Sequence, residues 1–300
     1  MSKIFSVTPV KISRMKDNTL SRSMDRLSMH LFSIANQNVK AYIKPIVSDL
    51  SSDPDISRSI RSVCDKYNAL YVHTDTNLVW NKPLALNVGI KMVPKDAKYI
   101  ATLDLDIIVK DNVFSECISV SNKLLSSRYL RYRVHPVIVA RTFMLNEDRS
   151  GEIINNFHKN GSFSIDGDSM LESGEFLKDI GNGGMQFFDR DWIFRTKGYD
   201  ERFNLWGAID NEILKRAELG KRRVVWINGR ESGEDISLVH LYHKSWSNPH
   251  VSREYIEKYR EENNKVFYEK ERTIFINSES WGVEANVVGP RVIDGAVKVC

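Results

Sequence analysis

The first hundred residues alternate between two hydrophobic periods. Residues 4–7 (Ile-Phe-Ser-Val) form a short β-branched and aromatic run that predicts a first strand. Leu20, Met24, Leu27, Leu31 and Ile34 then recur at spacings of four, three, four and three, which puts one apolar stripe on a helix ending near Gln37. Residues 41–47 predict a second strand, whose Pro45 suits a position where no ladder donor is needed. The polar run at 48–55 reads as a turn, being rich in side chains that bond their own backbone. A second helix carries Ile56, Ile60, Val63 and Tyr67 on one face, and a strand follows at 69–72. Pro83 fits the first turn of a third helix through Ile90, because its missing N–H would find no helical partner there anyway. Residues 99–103 predict a fourth strand.

Strands entered through helices belong to a parallel sheet covered by helices, so the expected fold class is α/β, with a mixed, mainly parallel sheet. Such a sheet places its ligand site beyond the carboxyl ends of its strands, which sets Asp49, Asp104 and Asp106 on one rim. Farther on, residues 113–125 predict a helix, 134–140 a β-rich run, 212–219 and 255–267 two more helices, and 238–244 the end of a strand. Residues 146–179 are polar and weakly periodic, which predicts an inserted loop or an acceptor-facing lid. Neither a repeat nor a low-complexity linker interrupts the chain, and a single continuous domain is expected.

Composition narrows the class. The 300 residues carry 43 Lys+Arg against 39 Asp+Glu, a net charge of +4, and 42% are hydrophobic. This is an ordinary globular composition, only mildly basic. No run approaches the roughly 18 apolar residues that span a bilayer, and the start of the chain lacks the apolar core of a signal peptide. Cys64, Cys117 and Cys300 are odd in number and far apart, which supports neither a disulfide framework nor a thiolate zinc site. A cytoplasmic protein without stable membrane insertion is expected.

Three constellations could carry chemistry. Asp104-Leu105-Asp106 follows an apolar strand, and two carboxylates on one face of an extended chain can hold Mn²⁺ or Mg²⁺. By itself the pair is as much at home on a solvated loop. Gly183 and Gly184, Tyr199-Asp200-Glu201-Arg202-Phe203 and Trp206-Gly207-Ala208-Ile209-Asp210-Asn211-Glu212 come next. Glycines allow close backbone approach to a ligand, and an aromatic face beside carboxylates suits a sugar, although Trp206 could be core and Asp210 a helix cap. His240-Leu241-Tyr242-His243 supplies imidazoles that would complete a cation site short of ligands.

In this order the pieces resemble the GT-A (Rossmann-like) nucleotide-sugar glycosyltransferases, specifically family 2 enzymes and relatives with a galactosyltransferase-type C-terminal module. The likeness runs from about Ile4 to Trp246. It implies transfer of a sugar from a nucleotide diphosphate-sugar, with UDP as nucleotide, to a hydroxyl of a carbohydrate or other acceptor, with inversion. It implies donor contacts at Thr8, Asp49, Lys82, Asn87, Asp104 and Gly184, and a metal held by Asp104, Asp106 and His243, with His240 as a second imidazole. Asp210 takes the position of the general base, and Trp206 and Glu212 face the acceptor. Lys82 stands where the family has Arg, keeping the charge but losing the bidentate fork. Ile209 replaces a family Glu that bonds an acceptor hydroxyl. The resemblance divides the chain into a nucleotide-binding half at 1–110, an acceptor and catalytic half at 111–250, and a C-terminal helix and tail at 251–300.

A nucleotidyltransferase would show a Gly-rich basic loop after the first strand, and residues 8–14 contain no glycine. The alternative from another class is a nucleic-acid- or glycan-binding module with a degenerate GT-A site. Arg128-Tyr129-Leu130-Arg131-Tyr132-Arg133 with Arg141 interleaves cations and aromatics as such binders do, and equally makes a solvated edge or a patch for an anionic acceptor.

Overall fold

A computed structural model of the chain describes residues 1–12, 19–127, 134–163, 165, 170–177, 184–227, 236–243, 252–269, 273–293 and 296–299. The run at 128–133, Gly183, Trp246 and Cys300 lie outside the described residues. Strands and helices alternate as β1 (Ser2–Val10), α1 (Thr19–Ala35), β2 (Ala41–Leu50), α2 (Pro54–Lys66), β3 (Leu70–Thr74), α3 (Lys82–Lys91) and β4 (Tyr99–Leu103). Then come β5 (Ile107–Val109), α4 (Val113–Leu125), β6 (Val137–Val139), β7 (Thr142–Leu145), α5 (Glu147–Asn160), β8 (Gly174–Phe176) and β9 (Met185–Asp189). The order closes with α6 (Arg190–Arg195), α7 (Ile209–Leu219), β10 (Val224–Trp226), β11 (Leu238–His240), α8 (Arg253–Phe267), β12 (Pro290–Ile293) and β13 (Ala296–Val299).

The main sheet runs β10-β6-β9-β4-β1-β2-β3. β1 pairs in parallel with β2 and β4, β2 with β3, and β6 with β10, while β9 is antiparallel to both of its neighbours. This is the mixed, mainly parallel sheet flanked by helices that the periodicity predicts. A second sheet, β5-β11-β7-β8, stands beside it. The core on one face of the main sheet includes Val7, Ile46, Leu86, Ile100, Phe188, Phe203 and Ile213, and that on the other includes Ile4, Tyr99, Leu103, Phe114 and Phe187. Side chains alternate along each strand, so neighbouring residues serve opposite cores. Pro45 lies just before β2 begins to pair with β3 at Ile46.

Two predicted segments differ. The polar run at 48–55 is not all turn, since β2 continues through Leu50 and α2 begins at Pro54. The parallel ladder with β1 keeps Ser48 and Asp49 extended despite their turn propensity. The expected loop at 146–179 contains α5 and β8. Asn146 caps α5 by accepting from Arg149 N at 2.9 Å, and Gly161 ends it at φ 66°.

On the inner face of α1 lies His30, fully buried. Its Nδ1 donates to the Ile107 carbonyl at 2.6 Å, which leaves Nε2 to accept from Thr8 Oγ1 at 2.7 Å. That geometry uses the neutral ring, and burial pushes the imidazole down to about 4. The folded protein therefore binds fewer protons here than the unfolded chain. The stability that depends on neutral His30 is intact above about pH 6.5 and is lost progressively as pH falls toward 4. Replacing His30 by Gln should make the stability gap between variant and wild type shrink by about 2 kcal/mol from pH 7 to pH 4.5, read by urea denaturation. A gap independent of pH would contradict this reading.

Candidate metal and carboxylate site

β4 leaves the main sheet at Leu103, and β5 enters the second sheet at Ile107. The three residues between them turn tightly, Ile107 N donating to the Asp104 carbonyl at 3.2 Å. Their carboxylates diverge. Asp104 points toward α3 and α7, while Asp106 points toward the end of β11.

The register explains the second direction. β11 runs antiparallel to β5 with His240 opposite Ile107, and Leu241 N donates to the Asp106 carbonyl at 3.0 Å. Asp106 Oδ2 then lies 3.3 Å from His240 Nε2 and 2.9 Å from His243 Nε2. One donor atom from each of these three residues falls within 4.8 Å of the others, and among the described residues this is the group of such donors that could hold a metal ion. Burial works to raise the Asp106 carboxyl, but the two imidazoles outweigh it and hold the group well below the usual carboxylate range. A bound cation would favour the carboxylate in the same way.

The residues present fit a divalent metal. Asp106 Oδ1 and His240 Nδ1 are buried without a hydrogen-bond partner, so the cluster holds more donor capacity than the protein uses. Two imidazole nitrogens with one carboxylate suit Mn²⁺ better than Mg²⁺, which favours oxygen ligands. Asp104, expected to share the cation, is not part of the cluster.

Asp104 belongs instead to a charged triad. Lys82 opens α3, whose N-cap Asn81 accepts from Leu84 N at 2.7 Å. Its Nζ lies 2.7 Å from Asp104 Oδ1 and 3.1 Å from Asp210 Oδ1. Burial works to strip the ammonium of its proton, but the two carboxylates outweigh it and Lys82 stays charged. Burial pushes the Asp104 carboxyl up to about 6, with Lys82 pulling against it.

Asp210 sits in the first turn of α7, where the helix dipole favours a negative charge. Its carbonyl accepts from Gln186 Nε2 at 3.0 Å, Gln186 Oε1 accepts from Tyr199 Oη at 2.5 Å, and Tyr199 Oη also meets Thr102 Oγ1 at 2.7 Å. The start of α7 is thus tied to β9 and β4 through buried side chains. Beside it Trp206 is 65% exposed, while Ile209 is buried in the core under the sheet. Ile209 is therefore a packing residue.

Five of the expected contacts turn away from the rim. Thr8 is buried on His30. Asp49 is fully buried and accepts from Ser52 N at 2.9 Å, Ser57 Oγ at 2.7 Å and Tyr71 Oη at 2.6 Å, which organises the start of α2. Asn87 donates to the Tyr199 carbonyl and Glu201 Oε1 and accepts from Tyr199 N, clamping α3 to the loop after α6. Gly184 is needed for close packing, since a Cβ there would come within 2.3 Å of Thr142 Oγ1. Glu212, expected at the acceptor, is 2% exposed and pairs with the buried Arg216 at 2.7 Å. Arg216 in turn donates to the Gly198 carbonyl at 2.9 Å. Thr8, Asp49 and Asn87 meet interior partners 22 to 112 residues away in His30, Tyr71 and Tyr199, which local pattern does not reveal, whereas Glu212 pairs within its own helix.

No family model matches the chain, and no curated protein matches it. Among solved structures, the catalytic domain of a Drosophila β1,4-galactosyltransferase 7, in complex with xylobiose, is 11% identical. The match covers 99% of this chain and 91% of that one, with a TM-score of 0.49. Glucosyl-3-phosphoglycerate synthase from Mycobacterium tuberculosis, in complex with Mn²⁺, UDP and phosphoglyceric acid, is 13% identical over 75% of this chain and 68% of that one, with a TM-score of 0.42. A 4-diphosphocytidyl-2C-methyl-D-erythritol synthase from Anaerococcus prevotii is 14% identical over 88% and 96%, with a TM-score of 0.41.

The cluster and the triad make different predictions for metal binding. In a calorimetric titration with Mn²⁺, Asp106→Asn and His243→Ala should each weaken binding about tenfold or more. Asp104→Asn should leave it within a few-fold. Equal losses at Asp104 and Asp106 would show that both carboxylates are ligands.

Proposed function

We propose that this chain is a metal-dependent GT-A glycosyltransferase that moves a sugar from a nucleotide diphosphate-sugar, UDP as the nucleotide, to an acceptor hydroxyl with inversion at the anomeric carbon. The observation that carries the reading is the side-by-side arrangement, at the carboxyl ends of the central strands, of a metal-ligand cluster and a carboxylate–ammonium–carboxylate triad. These are the two parts that departure of a diphosphate and activation of a hydroxyl require.

In this reading Asp106, His240 and His243 would hold the cation, which would supply positive charge to offset that on the departing diphosphate. Lys82 brings a second positive charge, and its ammonium is released from the carboxylates as phosphate oxygens compete for it. Asp210 accepts the proton of the acceptor hydroxyl as that oxygen bonds the anomeric carbon and the bond from that carbon to the phosphate oxygen breaks. Asp104 shares Lys82 with Asp210 and keeps the ammonium centred. The exposed indole of Trp206 offers the apolar face on which a sugar ring of the acceptor can lie. The nucleotide half at 1–110 and the acceptor half at 111–250 then meet in one sheet. Among the described residues no helix is long and apolar enough to cross a membrane.

A panel of nucleotide-sugars with methyl glycosides as acceptors, read as released nucleotide with Mn²⁺ or with excess EDTA, tests the reading. Activity should require the metal. Asp210→Asn should keep donor binding and lose roughly 10² to 10⁴ in turnover, the worth of a positioned general base. Full activity in EDTA would remove the metal from the mechanism, and near-normal turnover of Asp210→Asn would remove the base.

A further inference from the structure

The turn that exposes Trp206 is not held by its own sequence. Leu205 (φ 57°), Gly207 (φ 107°) and Ala208 (φ 59°) all adopt positive φ. In this left-handed region two of the three carry a Cβ, which crowds the following carbonyl oxygen. Such a turn persists only when its surroundings determine it.

The surroundings are a buried ladder of asparagines that ends on α8. Asn263 is 2% exposed, and its Nδ2 donates to the Asn204 and Trp206 carbonyls, both at 2.8 Å. Its Oδ1 accepts from Asn204 N at 3.2 Å. Asn204 accepts through Oδ1 from Asn81 at 3.1 Å and donates to the Arg202 and Val288 carbonyls. Asn81 is the cap of the helix that carries Lys82. Around the ladder, Tyr259 of α8 packs with Leu205 and Val79, and Arg260 closes over Gly207, where a Cβ would meet its Cγ at 3.2 Å.

We propose that Asn263 is a positioning residue that fixes Trp206 and the start of α7, making α8 a working part of the acceptor side. This rests on the glycosyltransferase reading for what Trp206 touches, and on the hydrogen bonds alone for what Asn263 holds. The same amide that holds the Trp206 carbonyl is linked through Asn204 and Asn81 to the N-terminus of α3. The indole and the Lys82 ammonium are therefore set relative to each other by three side chains. Asn263 touches no reacting group and bonds the Trp206 carbonyl directly but reaches the Lys82 helix only through two further residues, so its loss falls on the acceptor side far more than on departure of the diphosphate.

The test uses the full chain labelled with 5-fluorotryptophan, the Trp206 resonance being assigned by its disappearance in Trp206→Phe. Asn263→Ala should shift or broaden that resonance and leave those of Trp192, Trp226 and Trp281 in place. It should also raise the concentration of the best methyl glycoside for half-saturation at least tenfold, with hydrolysis of the nucleotide-sugar by water within twofold of wild type. Asn263→Ser, which retains one donor, should give a smaller change in the same direction and serves should Asn263→Ala fail to fold. Asn264→Ala, on the exposed side of α8, should change nothing. An unmoved Trp206 resonance, or equal losses in transfer and hydrolysis, would overturn the proposal. If wild type turns over no nucleotide-sugar, the glycosyltransferase reading fails, and the fluorine spectrum still decides whether Asn263 fixes Trp206.

Discussion

Three residues join two sheets, and the site depends on how they do it. The chain belongs to the main sheet through Leu103 and to the second sheet from Ile107, so Asp104, Leu105 and Asp106 turn between two fixed ladders. The pairing of β5 with β11 brings two imidazoles to Asp106, and the starts of α3 and α7 bring the Lys82 ammonium and the Asp210 carboxylate to Asp104. The metal-ligand cluster depends on the register of β11, since a slip of one residue would turn His240 to the opposite face.

Charge balance follows from that divergence. Three carboxylates crowded at one strand end would repel one another if left alone. The Asp106 carboxylate lies within 2.9 to 3.3 Å of the His243 and His240 ring nitrogens, and Asp104 and Asp210 share Lys82. Around the charged groups the support is neutral and buried. His30 fastens Thr8 to Ile107, Tyr199 and Gln186 fasten β4 to α7, and the asparagine ladder fastens α3 to the Trp206 turn.

The first hundred residues are legible in the sequence because their strands and helices carry clear period-two and 3.6 patterns. The helix α5 is not, since its buried face is only Ser150, Ile153 and Phe157, too sparse to stand out among polar neighbours. In the site, residue type was readable and direction was not. Residue type and the family resemblance together name Asp106, His240 and His243, but the partners that draw Asp49, Asn87 and Glu212 inward are Tyr71, Tyr199 and Arg216, contacts made by tertiary packing or on a helix interior. One overlooked signal was available. Asn263 continues the stripe of Ile256 and Tyr259 on α8, and an amide on an apolar face usually has a buried partner to satisfy.

The central claim, that the metal belongs to Asp106 and the two histidines while Asp104 serves the lysine, is tested most directly by anomalous diffraction at the manganese edge from crystals grown with Mn²⁺ and UDP. The account predicts one anomalous peak bonded to the Asp106 carboxylate and to nitrogens of His240 and His243, with Lys82 turned toward the diphosphate. A peak bonded to Asp104 without the histidines, or no peak at this rim, would contradict it.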